Sequence, residues 1–154
     1  PLELSFVFAG ESASTPVLIR QVEANLDARG REAFVRRSDS LGQQLEDAML
    51  SGDFAQAASA IEDLERLLAA LGPLETDAMK RVLAIAKSYG AAGKMSGAGG
   101  GDGCVLLSPT PEVQSDLLAG LRQRGFHAFA LTVEAGLRGE ARGEPELLQW
   151  IAAG

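Results

Sequence analysis

Apolar and polar residues alternate at the start of the chain, where Leu2, Leu4, Phe6 and Phe8 share one face of an extended segment. The turn signal Ala9-Gly10 ends that segment. A helix is expected from Ser14 or Thr15. Either hydroxyl suits the capping position, Pro16 suits the first helical position, and Leu18, Val22 and Leu26 recur every four residues. Gly30 is expected to close it. The next helical stretch carries Phe34, Leu41, Leu45 and Met49 and stops at Ser51-Gly52. A third, capped by Asp53, carries Phe54, Ala57, Ile61, Leu64, Leu68 and Leu71 and stops at Gly72-Pro73. A fourth runs from about Thr76 to Tyr89, with Met79, Val82, Ile85 and Ala86 facing inward.

The texture changes at Gly90. Residues 90–103 hold seven of the chain's 18 glycines and read as a loop leading into the buried strand Cys104-Val105-Leu106-Leu107. A helix follows from about Pro111 to Arg124, then an alternating strand from Phe126 to Val133, and a last short helix around Leu147, Leu148, Trp150 and Ile151. This order predicts an α+β domain with helices packed on one face of a small, mainly antiparallel sheet.

Length and composition narrow the function classes. At 154 residues the chain holds one ordinary hydrophobic core. A net charge of −7 repels nucleic acid and anionic membrane, and no apolar stretch nears the roughly 20 residues of a membrane helix. One cysteine, Cys104, excludes an internal disulfide, and with a single histidine, His127, it excludes the common zinc clusters. A soluble, cytoplasmic chain is expected. The opening Pro1, running straight into a strand, suggests a piece cut from a longer protein.

The glycine run carries the chemistry. Consecutive glycines let backbone N–H groups approach an anion closely, most often phosphate, and Lys94 and Ser96 add a cation and a hydroxyl donor. A plain hairpin between two strands is the alternative. The P-loop pattern fails, because Gly90 to Met95 lacks its length and its final Ser/Thr. The dinucleotide fingerprint fails too: Asp102 stands where its third small residue belongs, after a helical rather than an extended element.

The run Lys94-Met95-Ser96-Gly97-Ala98-Gly99-Gly100-Gly101-Asp102-Gly103-Cys104 resembles the third motif of the GHMP kinases and is most similar to phosphomevalonate kinases. Gly10-Glu11-Ser12-Ala13-Ser14-Thr15-Pro16-Val17-Leu18-Ile19 resembles the segment after the first strand of the same half of those enzymes. One departure stands out: the family usually reads Asp-Cys-Gly where this chain has Asp102-Gly103-Cys104.

The resemblance implies a ferredoxin-like C-terminal domain over residues 1–154. Its partner would be its own N-terminal ATP-binding domain, whose Pro-x-Gly-Leu-Gly-Ser-Ser-Ala motif does not occur in this chain. It also implies ATP and Mg²⁺ as cofactors of the full enzyme and a small phosphorylated substrate. Lys94, Ser96, Gly97, Ala98, Gly99, Gly100, Gly101 and Asp102 are then the expected phosphate-binding residues, with the amides of residues 97–100 foremost. Ser12 and Ser14 are candidates for the acceptor side, although helix capping also explains Ser14. No residue of this half is assigned a catalytic or metal-ligating role.

Arg36, Arg37, His127 and Cys104 are read as solvated or packed structural residues. Gly99→Val is expected to fill the phosphate's space while leaving the fold intact, and one side of the domain is expected to expose an apolar patch. The rival readings are mevalonate kinase, diphosphomevalonate decarboxylase, or a stand-alone domain that binds a small ligand without catalysis.

Overall fold

The computed structural model describes residues 2–10, 14–97 and 99–133. The last predicted helix, and the candidates Ser12 and Ala98, lie outside them. Four strands, β1 (Glu3–Phe8), β2 (Ala92–Met95), β3 (Gly103–Ser108) and β4 (His127–Leu131), form one sheet in the order β2-β3-β1-β4, with every pairing antiparallel. The helices are α1 (Thr15–Asn25), α2 (Ala28–Ser51), α3 (Phe54–Ala69), α4 (Asp77–Ser88) and α5 (Pro111–Gln123). The α+β class with a small antiparallel sheet and packed helices is as the sequence predicts, but the helices divide between the two faces: α4 and α5 pack on the face of Cys104 and Leu106, and the α2–α3 hairpin on the face of Leu107.

Local chemistry sets the helix bounds. Asp53, Thr76 and Thr110 each cap a helix by accepting from the backbone N–H three residues on. The boundary expected at Gly30 falls earlier: α1 ends at Asn25, Leu26 is extended, and Asp27 caps α2 by accepting the Gly30 N–H at 2.6 Å. Gly30 therefore sits in the first turn of a new helix rather than after the end of an old one. Gly52, in the left-handed region, closes α2 as expected.

Strand β2 lies where the sequence reads only as loop. Ala92-Gly93-Lys94-Met95 shows no β-branched residue and no alternation, so its strand character comes from pairing with β3, Ala92 to Leu107 through Met95 to Cys104.

One face of the sheet, carrying Val7, Cys104, Leu106 and Ala128, forms the main core with Met79, Val82 and Ala86 of α4 and Leu117, Leu118 and Leu121 of α5. Leu18 and Val22 of α1 pack against its margin. Ser5 is buried on the same face, where Gln114 of α5 donates to its hydroxyl at 3.1 Å and to the Leu4 carbonyl at 2.7 Å. A second cluster joins Ala48 of α2 and Ala57 and Ile61 of α3 to Ala92 and Leu107, with Leu2 and Leu4 beside it. The alternating set Leu4, Phe6, Phe8 thus divides: Leu4 meets the α2–α3 hairpin, while Phe8 is 50% exposed beside Phe129 at 40%. The rings of Phe6, Phe8 and Phe129 lie 5.0–6.0 Å apart, and with Leu131 they make an apolar patch of the expected kind.

Candidate functional site

Register brings the two motif segments together. Phe8 pairs with Gly103 on one side and with His127 on the other, and Met95 pairs with Cys104. The end of β1, the end of β2 and the starts of β3 and β4 therefore share one end of the sheet. The segment leading into α1 and the glycine-rich turn, some eighty residues apart in sequence, emerge there from adjacent strands. A direct bond joins them: the Ala9 N–H donates to the Asp102 carbonyl at 3.2 Å.

The turn from Ser96 to Asp102 is a hairpin connection closed by the Ser96 N–H on the Gly103 carbonyl at 2.9 Å. Gly97, Gly99, Gly100 and Gly101 all have positive φ. Two of them show why side chains are excluded. Gly99 is buried at φ +79°, and a Cβ there would sit 2.7 Å from the Leu74 carbonyl oxygen and 2.9 Å from Met95 Sδ. Gly97 is exposed at φ +64°, with open space around the position a Cβ would take. Gly99 is thus demanded by packing inside the protein, and the expectation that Gly99→Val would leave the fold intact is corrected. Gly97 is the glycine that faces outward.

The turn is held from three directions, by Ala9 at Asp102, by Leu74, and by Glu65. The Gly100 N–H donates to the Leu74 carbonyl at 2.6 Å, in the α3–α4 connection, so this amide is a tether rather than a free donor. The amides of Gly97, Gly99 and Gly101 donate to no carbonyl among the described residues. At the entrance, Glu65 of α3 accepts the Met95 N–H at 2.6 Å. That bond satisfies an outward-facing amide of edge strand β2, and the other Glu65 oxygen is buried without a partner among the described residues.

Lys94, half-buried, donates to the Met95 carbonyl at 2.6 Å. Burial lowers its ammonium below the usual lysine range, with Glu65 and Cys104 opposing. Burial raises the Glu65 carboxyl and Glu75 adds to the rise, against the Met95 N–H and Lys94. The fully buried Cys104 thiol is pushed up to about 12, first by burial and then by Glu65 and Glu75, which makes it an inert core group.

The remaining candidates are placed as follows. Ser96 is half-buried at the mouth of the turn. Asp102 is exposed, and it anchors the turn through its backbone carbonyl. Ser14 holds the N-cap position of α1, yet its side chain makes no capping bond, which leaves an exposed hydroxyl on the first loop. Arg36 and Arg37 pair with Glu32 and Asp63 on a solvated helix face, as expected. Glu65 and Leu74 are the residues that sequence reading missed. Glu65 left a signal, because it continues the four-residue spacing Ala57, Ile61 with a carboxylate where the stripe calls for an apolar side chain.

This arrangement offers backbone donors, a hydroxyl and an ammonium at one sheet end, which suits anionic oxygens. Among the described residues no group of three His, Cys, Asp or Glu is placed to hold a metal ion, and no helix is long and apolar enough to cross a membrane.

Similar folds are found in kinases and in a protein without a printed activity. A protein of Listeria innocua, Lin0012, superposes with a TM-score of 0.76 at 28% identity over 85% of this chain and 39% of its own. Streptococcus pneumoniae phosphomevalonate kinase, in complex with phosphomevalonate and AMPPNP, gives 0.74 at 20% identity over 84% of this chain and 40% of its own. L. major mevalonate kinase, in complex with R-mevalonate, gives 0.72 at 20% identity over 88% and 44%. The chain thus spans about two fifths of the length of these structures. No curated protein sequence matches it. The sequence profile of the family described as GHMP kinases C terminal matches residues 45–127, from α2 through the glycine-rich turn to the start of β4, and the chain belongs to that family.

Proposed function

We propose that this chain is the C-terminal half of a phosphomevalonate kinase-like enzyme that transfers the γ-phosphoryl group of ATP to the phosphate of 5-phosphomevalonate, giving the diphosphate. The observation that carries this reading is the convergence of the two motif segments at one sheet end, bonded directly through Ala9 and Asp102. Phosphoryl transfer asks the protein for positioning and charge stabilisation more than for covalent chemistry. The untethered amides of the turn supply fixed donors, Ser96 supplies a hydroxyl, and the Glu65, Leu74 and Ala9 tethers spare the turn any reorganisation on binding.

The fit to ATP rests on Gly97, exposed with room beside it, so that phosphate oxygens approach the backbone without meeting a side chain. When bound, Mg²⁺ neutralises phosphate charge. The exposed Asp102 carboxylate beside the turn would interact with such an ion through water. Ser14, whose exposed hydroxyl makes no capping bond, is the candidate for the acceptor side. The apolar patch of Phe6, Phe8, Phe129 and Leu131 is a surface that an N-terminal ATP-binding domain would cover.

A coupled assay of ADP release by the full-length protein, run with mevalonate and with 5-phosphomevalonate, tests the substrate. The expected result is turnover of 5-phosphomevalonate with kcat/KM roughly a hundredfold or more above that for mevalonate, since a site built around a phosphate is left with unpaired donors when the phosphate is missing. Preference for mevalonate would overturn the substrate assignment. Turnover of neither would overturn the kinase reading and leave a ligand-binding domain.

A further inference from the structure

A second group of basic residues meets the same sheet end outside the glycine-rich turn. A cleft of about 490 Å³ opens between the end of β1, α4 and the α5–β4 turn. Arg81 enters it from α4, Arg124 from the C-terminal cap of α5, and His127 from the first position of β4. Phe8 and Ile85 give it apolar walls, and Gly10 stands at its rim.

Two features distinguish this group from ordinary surface charge. First, no carboxylate lines the cleft among the described residues. Second, Arg81 makes no ion pair among the described residues; Arg20 and Arg29 make none either, but of these three only Arg81 lines the cleft. Arg124 donates one Nη1 bond to the Gly120 carbonyl at 2.8 Å, which orients the guanidinium and leaves further N–H donors without a partner among the described residues. In a chain of net charge −7, two guanidiniums meet at this cleft from separate elements, with an imidazole beside them. The apolar walls fit a short carbon skeleton attached to the anion. The cleft also adjoins the glycine-rich turn, because Ala9 in its wall is the residue that donates to Asp102.

We propose that this cleft is a second anion-binding subsite, with Arg81 as its principal cation, which holds a phosphoryl group of a small organic substrate or product. Only the identity of that molecule rests on the kinase reading; the subsite itself rests on Arg81, Arg124 and His127. It would hold one charged end of the molecule while the turn faces the other phosphates.

Titration of this chain with inorganic pyrophosphate, followed by the NMR signals of Gly10, Gly125 and His127, tests the subsite without catalysis. Saturable shifts of all three are expected. Arg81→Gln should weaken binding about tenfold, the loss of one charged hydrogen-bonding partner, and Lys80→Gln, which removes a neighbouring charge outside the cleft, should leave it unchanged. In the full-length protein Arg81→Gln should raise KM for the phosphorylated acceptor by about the same factor, with kcat within about twofold. Shifts confined to residues 97–101, or equal losses in Arg81→Gln and Lys80→Gln, would overturn the subsite while the kinase reading stands. If the full-length protein phosphorylates nothing, the kinase reading falls and the pyrophosphate titration still decides the subsite.

Discussion

Gly99→Val should lower the thermal midpoint of the chain by roughly 10 °C, whether or not a ligand is present. The added Cβ meets the Leu74 carbonyl, the Leu74 side chain and Met95 Sδ, all inside 3 Å, and two of these belong to the structure that the turn rests on. Overpacking of this kind costs roughly 1–3 kcal/mol. A β-branched residue in the left-handed region adds about 1–3 kcal/mol of backbone strain, and for a domain of this size each kcal/mol moves the midpoint by about 2–4 °C. Gly97→Ala is the informative partner. Its Cβ enters open space, so only the left-handed cost of about 1–2 kcal/mol remains. The fold should hold while phosphate affinity falls. Thermal melts of both variants check the pair: a wild-type midpoint for Gly99→Val would show that the buried contact with Leu74 is not made.

Glu65 should give opposite results with two substitutions. Alanine leaves the buried Met95 N–H without its acceptor, at a cost of about 2 kcal/mol, and it loosens the entrance to the turn. Glutamine keeps an acceptor for that amide and removes the charge. Burial raises the Glu65 carboxyl above its ordinary value of 4.5; Glu75 reinforces the rise, while Lys94 on β2 and the Met95 N–H oppose it. The folded chain therefore retains the Glu65 proton to higher pH than the unfolded chain. This contribution to stability is fully present below the unfolded value and is lost as pH rises through the folded one.

At neutral pH, well above the unfolded value, holding Glu65 in its buried place carries a cost that glutamine lacks, so Glu65→Gln should melt a few degrees above wild type. That advantage should shrink as pH falls toward 4.5. Melting curves of the three proteins between pH 4 and 8 read this directly. Glu65→Gln melting below wild type at pH 7, with no dependence of the difference on pH, would contradict the assigned burial.

Most of the helical framework was legible because its positions repeat every four residues and its caps are chemically distinct: Asp53 accepts where it was expected to, and α4 starts beside Thr76 as expected. The break between α1 and α2 was misplaced because Gly30 looks like a stop, whereas its amide is the donor that Asp27 needs to start a helix. Strand β2 was illegible for a different reason. Its four residues have weak strand preference, and only the long-range partner β3 makes them a strand.

At the site, the sequence located the glycine-rich turn and its companion loop but not their roles. Whether a glycine faces ligand or protein depends on what packs behind it. For Gly99 that is Leu74, and for Gly100 it is the same residue's carbonyl, both distant in sequence. Ser14 shows the converse, since a residue with capping chemistry makes no cap and keeps its hydroxyl free.

The central claim is that the outward side of this turn receives phosphate. A crystal structure of the full-length protein with AMPPNP and 5-phosphomevalonate tests it most directly. Phosphate oxygens within about 3 Å of the Gly97 amide and of Ser96 Oγ are the predicted result. Phosphates bound elsewhere, with Gly97 facing solvent, would contradict it.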